Sequence, residues 1–136
     1  MNRASWGLML VAAIVACRPA ANQPQQKLME DGRTYTAWLY GSEYNKLWDR
    51  FSPEMRQTFG SVGDLASFAS RAVKNLGTEQ GKVDERVNDA EAFTVYSRSA
   101  SFDKSRHRML IEWSLAKDGA VTGLVVRPVV ADSNRQ

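Results

Sequence analysis

With 136 residues, 43% of them hydrophobic and 24% charged, the chain can fill one modest core and is too short for a multidomain enzyme. One cysteine excludes an internal disulfide, and one histidine beside it leaves fewer soft ligands than the three or four a zinc site takes, so a zinc enzyme is ruled out. Eighteen Lys and Arg against fifteen Asp and Glu give +3 with no basic cluster, which removes the electrostatic case for nucleic acid.

The chain opens on Asn2-Arg3 and an apolar run from Gly7 to Ala16, the layout of a secretory signal. Ten residues of helix rise about 15 Å, half of a hydrocarbon core of about 30 Å, so the run is too short to span a membrane and is expected to be cleaved. Its end, Ile14-Val15-Ala16-Cys17, resembles the bacterial lipobox. The resemblance implies cleavage before Cys17, a diacylglyceryl group on its sulfur, and anchoring in the cell envelope. Arg18 stands where an aspartate would resemble an inner-membrane retention signal, so the expected site in a Gram-negative cell is the outer membrane, facing the periplasm. Residues 18–26 are rich in Pro, Gln and Asn without periodicity and read, with the lipidated Cys17, as a tether.

From Lys27 to about Leu76 the pattern is helical. Leu28, Tyr35, Trp38 and Leu39 fall on one side of a first helix, Gly32 weakens its middle, Gly41 is placed to end it, and Ser42 to cap the next turn. Tyr44, Leu47, Trp48 and Phe51 form a second stripe. Ser52-Pro53-Glu54 reads as N-cap, N1 and N2 of a third helix closed by Gly60. A fourth, opening near Ser61, presents Leu65, Phe68, Ala69, Ala72 and Leu76 and stops at Gly77.

Residues 81 to 130 read as four strands. A short one over 82–87 carries Val83 and Val87 on one side, Asn88-Asp89-Ala90-Glu91 turns, and a second runs from Phe93 to Phe102. After a turn at Asp103-Lys104-Ser105, His107, Met109, Ile111, Trp113 and Leu115 alternate with Arg106, Arg108, Leu110, Glu112 and Ser114, so one face is nearly all apolar and should meet the helices. Lys117-Asp118-Gly119 makes a hairpin turn, and Val121 to Val130 returns antiparallel before a polar tail over 131–136. Gly123 in mid-strand marks a bulge, and Pro128 belongs near a strand end. The fold class is α+β: N-terminal helices packed on a curved, cone-like, four-stranded antiparallel sheet over residues 27–130.

Helices followed by a four-stranded meander resemble the nuclear-transport-factor-2-like, or cystatin-like, cone. Trp48-x-x-Phe51-x-Pro53-x-Met55, followed later by Asp118-Gly119-x-Val121-x-Gly123-Leu124-x-Val126-x-Pro128, is similar to small domains of unknown function that precede secreted serine hydrolases of the β-lactamase and α/β-hydrolase types. These motifs are structural, and the resemblance implies no catalytic residue.

Ser101-x-x-Lys104 and Ser114-x-x-Lys117 both spell the nucleophile motif of penicillin-recognising enzymes, which works when a helical turn aims the lysine at the serine. Both copies fall in strand or turn, where i and i+3 face opposite ways, so neither is a site. His107 invites a general-base role, and Asp103 or Glu112 a carboxylate one of the ketosteroid isomerase-like kind, but none lies in a motif that supplies a partner. Glu112 reads as a surface partner for Arg106 or Arg108. Trp38, Trp48, Met109, Ile111 and Trp113 either line a pocket in the cone or fill the core; their spacing favours core.

The expectation is an exported, lipid-anchored envelope protein acting as a non-catalytic binding or accessory module. It holds the membrane through the lipid on Cys17 and takes an envelope protein or a small apolar ligand as partner, with no cofactor, no metal and no catalytic residue. The alternatives are a small isomerase- or dehydratase-like enzyme using a cone carboxylate or His107, and a purely structural envelope protein.

Overall fold

The structure is a computed structural model that describes residues 23–130, so the signal segment, Cys17 and the polar tail lie outside the described residues. Four helices, α1 (Gln23–Tyr40), α2 (Tyr44–Arg50), α3 (Pro53–Phe59) and α4 (Val62–Ala72), precede four strands, β1 (Glu79–Asp89), β2 (Thr94–Phe102), β3 (Met109–Leu115) and β4 (Val121–Pro128). The strands form one antiparallel meander in the order β1-β2-β3-β4. It is an open α+β fold with α1 laid along β1, β2 and β3 and α3 against β4.

Helix α1 begins at Gln23, four residues earlier than the Lys27 expected, because Pro24 sits in its first turn, where a missing N–H costs nothing. The buried positions Gly32, Tyr35, Thr36 and Leu39 follow helical spacing and make the stripe that meets the sheet. The end of the helix differs from expectation. Ser42, not Gly41, takes the left-handed conformation, at φ 62°, and the Glu43 N–H bonds back to the Trp38 carbonyl at 2.9 Å. Ser42 therefore terminates α1 and does not cap α2, whose N-cap is Glu43 with no side-chain bond. The next two caps are as the sequence spells them: the Ser52 hydroxyl accepts from the Met55 N–H, that of Ser61 from the Asp64 N–H, and Gly60 closes α3 at φ 87°. Helix α4 ends at Ala72, short of the expected Gly77, and the chain tightens into a 3₁₀ turn over Lys74–Leu76.

Strand β3 buries Met109, Ile111, Trp113 and Leu115 in strict alternation, so its apolar face does meet the helices. Arg106 and His107 precede the strand and are exposed. Two register irregularities interrupt the meander. One lies between Gln80 and Asp84 of β1, around Gly81 at φ 70°; the other opposes Ser114–Leu115 to Val121–Gly123 of β4, where Gly123 marked a bulge. The first lets β1 run from Glu79 to Asp89, well beyond the short strand expected.

The core joins Tyr35, Leu39, Leu47, Leu65 and Ala69 of the helices to Tyr96, Ile111, Trp113, Leu115 and Val121 of the sheet. A smaller cluster, Ala100, Phe102 and Met109, closes the other end of the sheet against Tyr40 and Leu76. Trp113 is fully buried and not left polar: its Nε1–H donates to Thr36 Oγ1 at 3.0 Å, and that hydroxyl donates to the Gly32 carbonyl at 2.8 Å.

Candidate functional site

The densest set of ionisable groups lies where α1 crosses β1 and β2. The inward face of β1 carries Glu85 between Val83 and Val87, and register pairs Glu85 with Arg98 of β2. Arg33 of α1 clasps Glu85 from above, with Nη2 to Oε2 at 2.7 Å and Nε to both oxygens at 3.1 Å. The Tyr96 hydroxyl donates to Glu85 Oε1 at 2.5 Å, and Arg98 Nη1 donates to the same oxygen at 2.7 Å. Arg98 then turns its other edge to Glu79, Nε to Oε2 at 3.1 Å with Nη2 on Oε1. The Tyr40 hydroxyl completes the set at 3.3 Å from Glu79 Oε2. A shallow cleft of about 330 Å³ opens over this network, lined by Arg33, Thr36, Ala37, Tyr40, Glu79 and Arg98.

Glu85, Tyr96, Tyr40 and the guanidinium groups of Arg33 and Arg98 are held in their ordinary charge states. The Arg33 guanidinium, helped by the Tyr96 hydroxyl and the Arg98 charge, outweighs burial and holds the Glu85 carboxyl at about 2. Burial, reinforced by the hydrogen bond to Glu85, pushes the Tyr96 phenol up to about 12. Burial and the Glu79 charge also raise the Tyr40 phenol, and the bond to Glu79 raises the Arg98 guanidinium. A carboxylate with four donors and a pKa near 2 takes no proton at neutral pH, so Glu85 is a poor general base, and Tyr96 is a poor acid for the same reason. The network ties helix to sheet.

The acid–base candidates read from the sequence do not come together. His107 is exposed in a turn where the Ser105 hydroxyl donates to its carbonyl at 2.8 Å. Asp103 is exposed, and its Oδ1 accepts from the Thr78 N–H at 2.7 Å. Glu112 lies on the sheet face away from the helices, where it receives the Ser97 hydroxyl at 3.4 Å. The surface partner of Arg108 is Asp84 at 3.0 Å, not Glu112, because Arg108 reaches back to brace the β1 irregularity through the Lys82 carbonyl at 3.2 Å. In the Ser-x-x-Lys copies, Ser101 accepts from Arg108 at 3.4 Å and Ser114 packs under Gly123.

Of the five pocket-or-core residues, Ile111 and Trp113 sit in the main core and Met109 in the smaller cluster. Trp38 and Trp48 are half-buried beside that core, Trp38 5.7 Å from the Tyr35 ring and Trp48 5.9 Å from Phe51. Trp38 thus packs on a ring of its own helix, and Trp48 on Phe51 with the Arg56 guanidinium 6.0 Å from its ring, so both serve as packing residues of the helical layer. Another hollow, of about 570 Å³, is on the outer sheet face, lined by Ser97, Ser99, Leu110, Arg86, Arg127 and Glu112 among others.

Comparison of the chain with protein-family models, with curated proteins and with solved structures found no match.

Proposed function

We propose that this chain is an exported lipoprotein, anchored in the cell envelope through Cys17, whose domain is a non-catalytic binding or accessory module. The observation that carries the reading is the lipobox-like Ile14-Val15-Ala16-Cys17 after a short apolar run, with the chain's one cysteine at the position the lipid requires. The outer membrane facing the periplasm is the proposed site in a Gram-negative cell. The order of helices and meander, with α1 lying along the sheet, supports a place among the nuclear-transport-factor-2-like cones.

Two features favour a binding role over the isomerase-like one. Asp103, Glu112 and His107 are scattered over the surface, and the clustered carboxylates are neutralised by guanidinium and hydroxyl donors. Tryptophan and aliphatic side chains occupy the interior, so an envelope protein seated on the polar outer sheet face is a better partner than a small apolar ligand inside the cone. Cys17→Ser tests the anchor: the parent should fractionate with membranes and carry a diacylglyceryl mass, and the variant should be released or left unprocessed. Equal membrane fractionation of both, with no lipid on the parent, would sink the reading.

A further inference from the structure

The start of α1 fixes which end of the domain faces the bilayer. Gln23 is already helical, so six peptide links separate it from Cys17, and however residues 17–22 are arranged they reach at most about 20 Å. Helix α1 has 18 residues and is therefore about 27 Å long, longer than the tether. It runs alongside β2: Pro24 and Leu28 border the same depression as Phe93 and Thr94, and Tyr40 packs edge-on against Phe102 at 5.9 Å. The N-terminal end of α1 thus shares one end of the molecule with the β1–β2 turn at Ala90–Phe93 and with Lys117 of the β3–β4 turn.

Phe93 lies at that end and is 40% exposed. Its position follows from the turn: the Ala90 N–H bonds to the Phe93 carbonyl at 2.9 Å, so residue 93 sits at the turn and not in β2. Among the described residues, the other well-exposed large apolar side chains are elsewhere. Val129 and Val130 are beyond β4 at the opposite end, where the Val129 N–H meets the Arg108 carbonyl at 2.7 Å, and Val125 is on the outer sheet face. We propose that Phe93 is a second membrane contact, seated in the headgroup region of the bilayer that holds the Cys17 lipid, so that the domain stands with its hairpin turns down and its outer sheet face free. The proposal rests on the lipid-anchor reading above. A single aromatic at a polar tip suits the interfacial layer, and since the two chains of a diacylglyceryl group already hold the domain to the bilayer, the second contact sets its orientation. Asp89, Glu91 and Lys117 border the same depression with one net negative charge, which offers no attraction to a zwitterionic bilayer, so the contact is apolar and insensitive to salt.

The experiment uses the full-length lipidated chain in phosphatidylcholine–phosphatidylethanolamine vesicles. Lipidation consumes the one native thiol, so Ala90→Cys and Lys104→Cys each offer one reactive sulfur for an environment-sensitive fluorophore, at the tether end and the far end, with Phe93 kept and with Phe93→Ser. The expected result is quenching by shallow spin-labelled lipid several-fold stronger at 90 than at 104, unchanged in high salt, and lowered several-fold at 90 by Phe93→Ser. Equal or absent quenching at the two positions, or quenching at 90 that Phe93→Ser leaves unchanged, on vesicle-bound protein with the diacylglyceryl mass on Cys17, overturns this contact alone. A protein that carries no lipid on Cys17 and stays off the vesicles overturns the anchor reading and this proposal together.

Discussion

Gly32 of α1 lies directly on the ring of Tyr96 in β2, so close that a Cβ at position 32 would occupy the space of the ring. The close approach lets Trp113 reach Thr36 and lets Arg33, next in sequence, close over Glu85. Helix propensity alone favours alanine at a mid-helix glycine by about 1 kcal/mol. Overpacking against a buried ring on a sheet opposes it with about 1 to 3 kcal/mol or more, so Gly32→Ala should lower stability in urea titrations. Gly63, exposed in the first turn of α4 with only Ser61 Oγ nearby at 3.6 Å, has no such constraint. Gly63→Ala should raise stability by a few tenths to about 1 kcal/mol. The same substitution then has opposite signs at two helical glycines, and a stabilising Gly32→Ala would contradict the packing described.

Trp113→Ala removes the largest side chain of the core and leaves Thr36 without its donor, for an expected loss of about 3 to 5 kcal/mol. Trp113→Phe separates the two contributions, keeping much of the volume but not the Nε1–H. A loss near 1 to 2 kcal/mol is expected for it, reflecting the Thr36 hydroxyl and the smaller ring. An unchanged denaturant midpoint for the alanine variant would put this face of β3 in solvent.

Much of the architecture was legible because the signals were local. Ser52-Pro53-Glu54 spelled a cap, Gly123 a bulge, and the alternation from Met109 to Leu115 a half-buried strand, and each depends on neighbours within a few residues. The ionic network was not legible for the opposite reason. Arg33 and Glu85 are 52 residues apart, and a charge between Val83 and Val87 reads as a break in an apolar face, not as a group with partners waiting on another element. Gly32 was misread likewise: a glycine within a helix signals weakness unless the surface it touches is known. The pocket-or-core question about Trp113 needed the third dimension, since both answers place the same residues on the same face.

Ser42 carries a positive φ with an L side chain, which costs about 1 kcal/mol relative to glycine. Ser42→Gly should therefore raise the melting temperature by a few degrees, the bond from the Tyr44 hydroxyl at 3.3 Å being exposed and weak. Ser42→Val, β-branched at the same φ, should lower it. If glycine stabilises no more than valine, α1 does not end as described.

Glu85 makes the protein sensitive to acid. Its folded pKa of about 2 lies below the ordinary 4.5, so the unfolded chain binds its proton first as pH falls. The carboxylate's contribution is fully present above about pH 4.5 and is lost progressively as pH falls toward about 2. At neutral pH, Glu85→Gln leaves Arg33 and Arg98 short of their shared acceptor in a half-buried site and should cost about 2 kcal/mol, the range of a hydrogen bond to a charged group. Lys46→Gln, which breaks an exposed pair with Glu43 at 3.4 Å, should cost less than about 0.5 kcal/mol. Urea midpoints for parent and Glu85→Gln, measured at intervals from pH 7 to pH 2, should run parallel above pH 5 and converge progressively from about pH 4.5 toward pH 2, because the unfolded parent's carboxyl takes up its proton first and the folded one only near pH 2. Curves that stay parallel to pH 2 would mean that Glu85 titrates alike in folded and unfolded chains, and that the clasp by Arg33, Tyr96 and Arg98 contributes nothing to holding α1 on the sheet.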